Sequence, residues 1–201
     1  MAEGTVFCFW ETVGMFDIPK NFKLCFSSEE ISDAVRRLGE EISKWASQIW
    51  EDSHTDIVAV PVLRGGIFFF ADLVRSIESS VEIAPAKAWA YVEFERFKQR
   101  EKVKVDISNV PAKGRRVLLV DDICDSGRTL KALKEEFLNA GALEVRAAVL
   151  IKRIVEDGAF EPDWIGFEYK GAEWFVGYGM EDSERWRNLP SVYIIQQTQE
   201  G

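Results

Sequence analysis

The sequence contains few of the residues that usually hold zinc or carry out histidine-based catalysis. Its 201 residues include one histidine, His54, and three widely separated cysteines, Cys8, Cys25 and Cys124. Because no two cysteines have the Cys-x-x-Cys spacing, a zinc site is not expected. An odd number of scattered cysteines favours free thiols in a reducing compartment over a disulfide framework.

Positive charge is also scarce. The chain has 25 Lys and Arg against 34 Asp and Glu, which gives a net charge of −9 and a pI near 4.8. Duplex nucleic acid normally needs a basic face, so we expect no nucleic-acid partner. An anionic small molecule remains compatible with this charge, because a local cation cluster or Mg²⁺ can offset the overall sign.

Long apolar runs are missing as well. The longest aromatic run, Phe68–Phe70, is soon broken by Asp72 and Arg75, and no run approaches the ~20 residues of a membrane span. The first residues, Met1–Gly4, lack the basic start of a signal peptide. We therefore expect a cytoplasmic protein that does not bind membranes.

What the chain does have is a regular alternation of strand-like and helix-like segments. With 47% hydrophobic residues it can form a substantial core, and its length suits one domain. Alternating strands and helices predict an α/β fold with a twisted, mostly parallel sheet and flanking helices. We predict a single domain over 1–201 with three parts: a core over about 28–155, a small hood from about 1–26 and 156–201, and a mobile lid over about 93–111.

The segment richest in chemistry begins with an apolar strand, Val117–Val120. Asp121 and Asp122 follow at its C-terminal end, then a polar turn, Asp125–Thr129, then a helix-forming run. In open α/β sheets ligands bind at the carboxyl ends of strands, and helix N-termini offer free N–H groups to phosphates. Carboxylates beside a phosphate cradle favour a sugar phosphate as the ligand.

This segment resembles the phosphoribosyl-pyrophosphate (PRPP) signature of type I phosphoribosyltransferases. The resemblance implies that the turn cradles the 5′-phosphate and that Asp121 and Asp122 hold ribose hydroxyls and Mg²⁺. It further implies that Asp125 is a general base facing N7 of a purine. The predicted PRPP-binding residues here are Asp121, Asp122, Asp125, Ser126, Gly127, Arg128 and Thr129.

Two later segments resemble the 6-oxopurine branch of that family. Phe160–Glu168 and Trp174–Met180 match, in order, Pro-Asp-aromatic-x-Gly-Phe and aromatic-Val-x-Gly-Tyr. The resemblance implies that Trp174 stacks on the base with Phe175 beside it. Lys152 would donate to the 6-oxo group, and an ammonium group can only donate, which disfavours adenine.

The resemblance also supplies a pyrophosphate clamp. The turn Arg64-Gly65-Gly66 follows a predicted strand, and in the family this turn usually has Lys in place of Arg64. Gly65 would bring backbone N–H groups close to the anion. Arg187 lies where the family uses an arginine on pyrophosphate.

The chain departs from the family pattern at two places. Glu181 stands where an aspartate usually binds Mg²⁺ and contacts the purine 2-position. Glu181 is therefore predicted as both a metal ligand and a purine contact, with Asp182 able to take over part of the role. In the lid, Ala90-Tyr91 is the nearest match to the usual Ser-Tyr pair.

Each singled-out residue also has an ordinary interpretation. The Gly65 turn could serve chain reversal alone, and Asp125 could orient its loop through an Asx bond. Lys152 could simply reach water, and Trp174 could pack in the core.

Taken together, the motifs predict a 6-oxopurine phosphoribosyltransferase of purine salvage that uses Mg²⁺. Its products would be pyrophosphate and a purine nucleoside 5′-monophosphate, IMP or GMP. The family resemblance implies a homodimer or homotetramer. The alternatives are a PRPP-binding regulatory protein of the same fold, or an enzyme specific for xanthine or a pyrimidine.

Overall fold

Strands and helices alternate along the chain as the sequence predicts. The computed structural model describes residues 17–95 and 98–196, and side chains only outside 87–104. The elements are β1 Phe22–Phe26, α1 Ser28–Ser53, β2 Ile57–Leu63, α2 Ile67–Ser76, β3 Val81–Ile83, β4 Ala86–Glu95, β5 Lys98–Asp106, β6 Arg116–Cys124, α3 Arg128–Asn139, β7 Glu144–Arg153, β8 Trp164–Tyr169, β9 Phe175–Val176 and β10 Val192–Ile195.

The main sheet has seven strands with β6 near its centre. Its order is β5-β4-β2-β6-β7-β8, and β3 pairs with the start of β2. Every pairing in it is parallel except β4 with β5. Val117–Val120 in β6 are fully buried, as expected for a strand covered on both faces. The predicted mostly parallel α/β fold is confirmed.

The three helices cover both faces of this sheet. Alternate residues of β6 point to opposite sides, so Leu118 and Val120 pack with α1 and α2, whereas Val117 and Leu119 pack with α3. A capping box opens α1, with Ser27 Oγ accepting from the backbone of Glu30. None of the helices in the described part of the chain is long and apolar enough to cross a membrane.

A second, smaller sheet forms a hood above the main one. Strands β1, β10 and β9 pair in that order and antiparallel. The predicted hood includes all of 156–201, but β8 within that range pairs with β7 in the main sheet. The buried indole of Trp164 anchors β8 there. Residues 1–16, also predicted to belong to the hood, lie outside the described residues.

The segment predicted as a lid begins within a long β-hairpin. Strands β4 and β5 pair antiparallel from Lys87 opposite Asp106 to Glu95 opposite Lys98. The first strand therefore runs to Glu95, into the segment predicted as a lid, because pairing with β5 extends it. The side chains of Ala90 and Tyr91 lie outside those described, so lid closure stays a prediction.

Candidate functional site

A pocket of about 400 Å³ opens at the carboxyl ends of β2 and β6, beneath the hood. The main sheet contributes the ends of β2, β6 and β7, and the hood contributes the far wall. The lining residues are Val62, Leu63, Gly65, Asp121–Leu130, Arg153, Trp174, Phe175, Met180, Glu181 and Arg187. All the site residues predicted from sequence line this pocket except Arg64 and Lys152.

The turn before α3 has the conformation of an anion-binding loop. Gly127 is the N-cap of α3 with φ of 74°, a left-handed conformation that favours glycine. A Cβ at this position would come within 2.8 Å of Phe160. Ala159 N donates to Ser126 O at 2.8 Å, so the segment after β7 braces the loop. The first N–H groups of α3 are thereby directed at the pocket.

Asp121 and Asp122 form a buried pair of carboxylates at the end of β6. Each residue is 8% exposed, and Asp122 N donates to Asp121 Oδ1 at 3.0 Å. Burial, followed by the charge of Asp122, raises the pKa of Asp121 well above its usual range. Burial also raises the pKa of Asp122, against hydrogen bonds and the charge of Arg187. The pair is therefore suited to a cation or to hydroxyl donors.

Two glycine turns bring backbone into direct contact around this pair. A Cβ at Gly65 would fall 2.1 Å from Asp122 Oδ2, so only glycine allows the turn after β2 to approach the carboxylate. Gly179 has φ of 104°, and a Cβ there would fall 1.9 Å from Gly65 O. The hood thus rests on the Gly65 turn, which rests on Asp122.

The two predicted pyrophosphate cations meet at one carboxylate. Arg64, which lies outside the pocket lining, has its Nη2 2.7 Å from Glu184 Oε1. Arg187 Nη2 lies 3.6 Å from Glu184 Oε2 and 3.9 Å from Glu181 Oε1. The hydrogen bond and charge of Arg64 lower the pKa of Glu184.

Lys152, the predicted reader of the base, is paired with acids beside the pocket. Its Nζ lies 2.5 and 2.6 Å from the two carboxylate oxygens of Glu161, and 3.9 Å from Glu168 Oε1. The next residue, Arg153, lines the pocket instead, because successive residues of a strand point to opposite faces. Sequence reasoning missed Arg153, and its only signal was the Lys-Arg pair at the end of an apolar strand.

The hood supplies the aromatic wall. The Trp174 indole is 62% exposed, and its Nε1 donates to Glu181 O at 2.7 Å, which fixes the ring at the pocket rim. Phe175 is buried against Tyr169, with ring centroids 4.8 Å apart. Trp174 is thus available for stacking, whereas Phe175 mainly supports the wall.

The three predicted metal carboxylates are not gathered into one cluster. Asp121, Asp122 and Glu181 share the pocket, but Glu181 accepts from the backbone N–H of Glu184 and faces Arg187. Within residues 17–95 and 98–196, no group of three or more His, Cys, Asp or Glu could hold a metal ion. The pair Asp121–Asp122 is the part of the predicted set that lies together.

Cys124 completes the pocket wall next to these acids. Burial, with the charge of Asp121, raises the pKa of its thiol to about 11. The thiol is therefore protonated at neutral pH and is a weak nucleophile.

Comparison with known proteins identifies the fold and the family. The family model described as "Phosphoribosyl transferase domain" matches residues 28–183. The chain belongs to the phosphoribosyltransferase family. The match spans both glycine turns and the acid pair, and it includes every pocket-lining residue except Arg187.

Individual relatives agree with this assignment. The hypoxanthine-guanine phosphoribosyltransferase of Aquifex aeolicus is 33% identical over 178 residues, covering 88% of this chain and 96% of its own. That of Lactococcus lactis subsp. lactis is 34% identical over 176 residues, covering 86% and 90%.

Solved structures of the same kind superpose on the fold. A hypoxanthine-guanine phosphoribosyltransferase from Bacillus anthracis has a TM-score of 0.65 at 30% identity, covering 87% of this chain and 98% of its own. A hypoxanthine phosphoribosyltransferase from Staphylococcus aureus has a TM-score of 0.74 at 22% identity, covering 87% and 91%.

The buried acid pair leads to a stability prediction. Because the pKa of Asp121 is raised in the folded protein, folding stability falls as pH rises from the unfolded value of about 3.9 through the raised value. Asp121→Asn keeps an oxygen for the Asp122 N–H but removes the charge. We expect it to raise the free energy of unfolding at pH 7.5 by about 1 kcal/mol or more, since each pKa unit is worth about 1.4 kcal/mol.

Urea unfolding of this phosphoribosyltransferase between pH 5 and 8, without divalent ions, measures the effect. The gain should shrink as pH falls, since the wild-type pair then takes up its proton. Asp157→Asn, in an exposed loop, is the matched control and should change little at any pH. Equal stability of Asp121→Asn and wild type across this range would contradict the prediction.

Close backbone packing leads to a second prediction. Gly65→Ala would push its Cβ into Asp122, so the carboxylate or the turn must move. We expect a loss of phosphoribosyl transfer of ~10²-fold, the scale of an ångström-sized displacement in an active site. The initial rate of transfer is the measurement.

Gly158→Ala provides the control for this change. A Cβ there would meet only Val155 Cγ2, at an ordinary 3.6 Å, so activity should stay within about twofold of wild type. Full activity of Gly65→Ala would show that the turn tolerates a side chain.

Proposed function

We propose that this phosphoribosyltransferase transfers ribose 5-phosphate from PRPP to N9 of a 6-oxopurine in purine salvage. The products are pyrophosphate and a purine nucleoside 5′-monophosphate, IMP or GMP. The observation that carries the proposal is the convergence in one pocket of a phosphate loop, a buried acid pair and an exposed indole. Relatives named hypoxanthine-guanine phosphoribosyltransferase, alike over nearly their whole length, support the same reaction.

The loop before α3 would hold the 5′-phosphate. The residues from Asp125 to Thr129 all line the pocket, and their backbone N–H groups, with the hydroxyls of Ser126 and Thr129, would surround the phosphate. Arg128, in the first turn of α3, is among these lining residues. At the other side of the acid pair, the Gly65 turn with Arg64 and Arg187 would receive the pyrophosphate. A guanidinium group is suited to binding phosphate oxygens in pairs.

The acid pair suits Mg²⁺. Mg²⁺ is usually bound by one or two carboxylates together with substrate phosphates, rather than by a full cage of protein ligands. Asp121 and Asp122 supply two such oxygen donors, and their raised pKa values indicate a site where a cation would relieve repulsion. The ion would supply charge neutralisation for the leaving pyrophosphate. The same carboxylates would accept hydrogen bonds from the ribose hydroxyls, and Glu181 remains the third predicted ligand.

The base would lie against Trp174. Its indole, held by Glu181 O, presents a face on which a purine can stack. Lys152 stands directly opposite Cys124 in the β6–β7 pairing, and Cys124 lines the pocket. The ammonium group of Lys152 would move away from Glu161 and donate to the 6-oxo group of the base. Adenine has a 6-amino group at this position, which could not accept that hydrogen bond.

Asp125 would act as the general base. It lies on the loop between the acid pair and α3 and lines the pocket together with Trp174, the proposed stacking residue. As pyrophosphate leaves, C1′ becomes cation-like, and a carboxylate near N7 both stabilises that charge and takes the purine proton.

Pyrophosphate release from PRPP and Mg²⁺, with hypoxanthine, guanine, xanthine and adenine offered separately, tests the proposal. We expect turnover with hypoxanthine, guanine or both, and none with adenine. Turnover with xanthine alone would instead favour the sibling specificity. Tight PRPP binding without turnover of any base would favour the regulatory alternative.

Replacement of the predicted base should separate chemistry from binding. Asp125→Asn keeps the size and one acceptor oxygen but cannot take a proton. We expect kcat to fall by ~10²–10⁴-fold, the usual contribution of general base catalysis, with little change in the KM for PRPP. Steady-state kinetics with the best base measures both constants.

Asp157→Asn is the control, because this exposed loop residue lies outside the pocket lining. It should keep kcat within a few-fold. Wild-type kcat in Asp125→Asn would remove Asp125 from the catalytic role.

The predicted cytoplasmic location and homodimeric or homotetrameric assembly belong to this proposal as well. The exposed Ile67 and Phe68 beside the Gly65 turn are consistent with an interface near the pocket.

A further inference from the structure

Arg153 is the charged residue of the pocket lining that the motifs did not single out, and it contacts the predicted general base. Its Nε donates to Asp125 Oδ1, and the two groups form an ion pair. The Arg153 side chain is 14% exposed, whereas that of Asp125 is 61% exposed. A nearly buried cation therefore holds a loop carboxylate that is otherwise largely in solvent.

The guanidinium of Arg153 is itself held in one orientation by the hood. One Nη donates to Gly171 O and the other to Glu173 O, the latter at 3.1 Å. Its Cζ lies 4.9 Å from the ring centre of Phe175 and 5.9 Å from that of Tyr169. The two backbone carbonyls hold the terminal nitrogens of the guanidinium, and the two aromatic rings hold its plane. In this orientation Nε points at Asp125.

The carbonyl partners of Arg153 lie immediately before Trp174. Glu173 adjoins Trp174 in sequence, and its carboxylate is hydrogen-bonded to the Tyr169 hydroxyl. The same guanidinium thus joins the loop that carries Asp125 to the hood segment that presents the stacking indole. The distance from the Asp125 carboxylate to a base stacked on Trp174 therefore depends on these contacts of Arg153.

We propose that Arg153 is a positioning residue that sets the Asp125 carboxylate at N7 of the base by tying it to hood residues 171–175. The inference rests on the proposed function. Arg153 does not touch the reacting atoms, and it acts through Asp125. A lysine cannot replace it fully, because an ammonium group lacks the planar fork that reaches Asp125 and both carbonyls together.

The test is a double-mutant cycle of Arg153→Met with Asp125→Asn, with kcat and both KM values measured. Arg153→Met alone should lower kcat by ~10²-fold and leave the KM for PRPP within about threefold. In the Asp125→Asn background the same change should lower kcat by no more than about twofold. Arg153→Lys should fall between wild type and Arg153→Met.

Arg146→Met is the matched control. Arg146 lies on the same strand, pairs with Glu144 at 2.6 Å and stacks at 5.0 Å from the Trp45 ring centre, but it lies outside the pocket lining. It should leave kcat unchanged in both backgrounds. If Arg153→Met fails to fold, Arg153→Lys in the two backgrounds decides the same question.

Equal loss of kcat in both backgrounds would overturn the proposal, because Arg153 would then support the hood without acting through Asp125. An unchanged kcat with a raised KM for PRPP would overturn it too. Wild-type protein that turns over no base would overturn the proposed function first. An active wild type with additive losses would overturn only the role of Arg153.

Discussion

Two carboxylates held side by side at the buried end of the central strand are the constraint on which the rest of the pocket depends. Burial opposes the ionisation of both and raises the pKa of each, and at Asp121 the charge of Asp122 adds to the effect. Such a pair lowers folding stability near neutral pH, so the surrounding fold must compensate. Full burial of Val117–Val120 between α1, α2 and α3 provides that compensation.

The pocket wall is built outward from this pair by close backbone contact. Gly65 lies against Asp122, and Gly179 lies against Gly65, each too close for a side chain. Tyr178, between the hood glycines, donates to Asp72 Oδ2 at 2.7 Å and so fastens the hood to α2. These contacts fix the position of the hood relative to the edge of the main sheet. They therefore also fix the position of its aromatic wall relative to Asp121 and Asp122.

The sequence predicted those features that depend on local pattern. The apolar run 117–120, the acids and the glycine turn together predict a strand, a site and a helix. This prediction succeeds because the three features follow one another directly in the sequence. It could not predict which of Lys152 and Arg153 enters the pocket. That depends on the register of β7 and on Glu161, Gly171 and Glu173, residues from two other segments of the chain. The placement of β8 was missed for the same reason.

The protein is acidic overall, yet it is proposed to bind a polyanion. The ion pairs formed by its site cations explain how both can hold. Arg64 and Arg187 form ion pairs with Glu184, and Lys152 forms one with Glu161. The side chains of both glutamates are largely exposed. Exposed ion pairs contribute little, roughly 0–1 kcal/mol, so exchanging a glutamate for a phosphate or a base oxygen costs little. The cations are thereby kept extended toward the site by partners that are easily replaced, and the overall charge of −9 does not prevent anion binding. The Arg153–Asp125 pair differs, because the Arg153 guanidinium also donates to the carbonyls of Gly171 and Glu173, and it is suited to fixing geometry rather than to exchange.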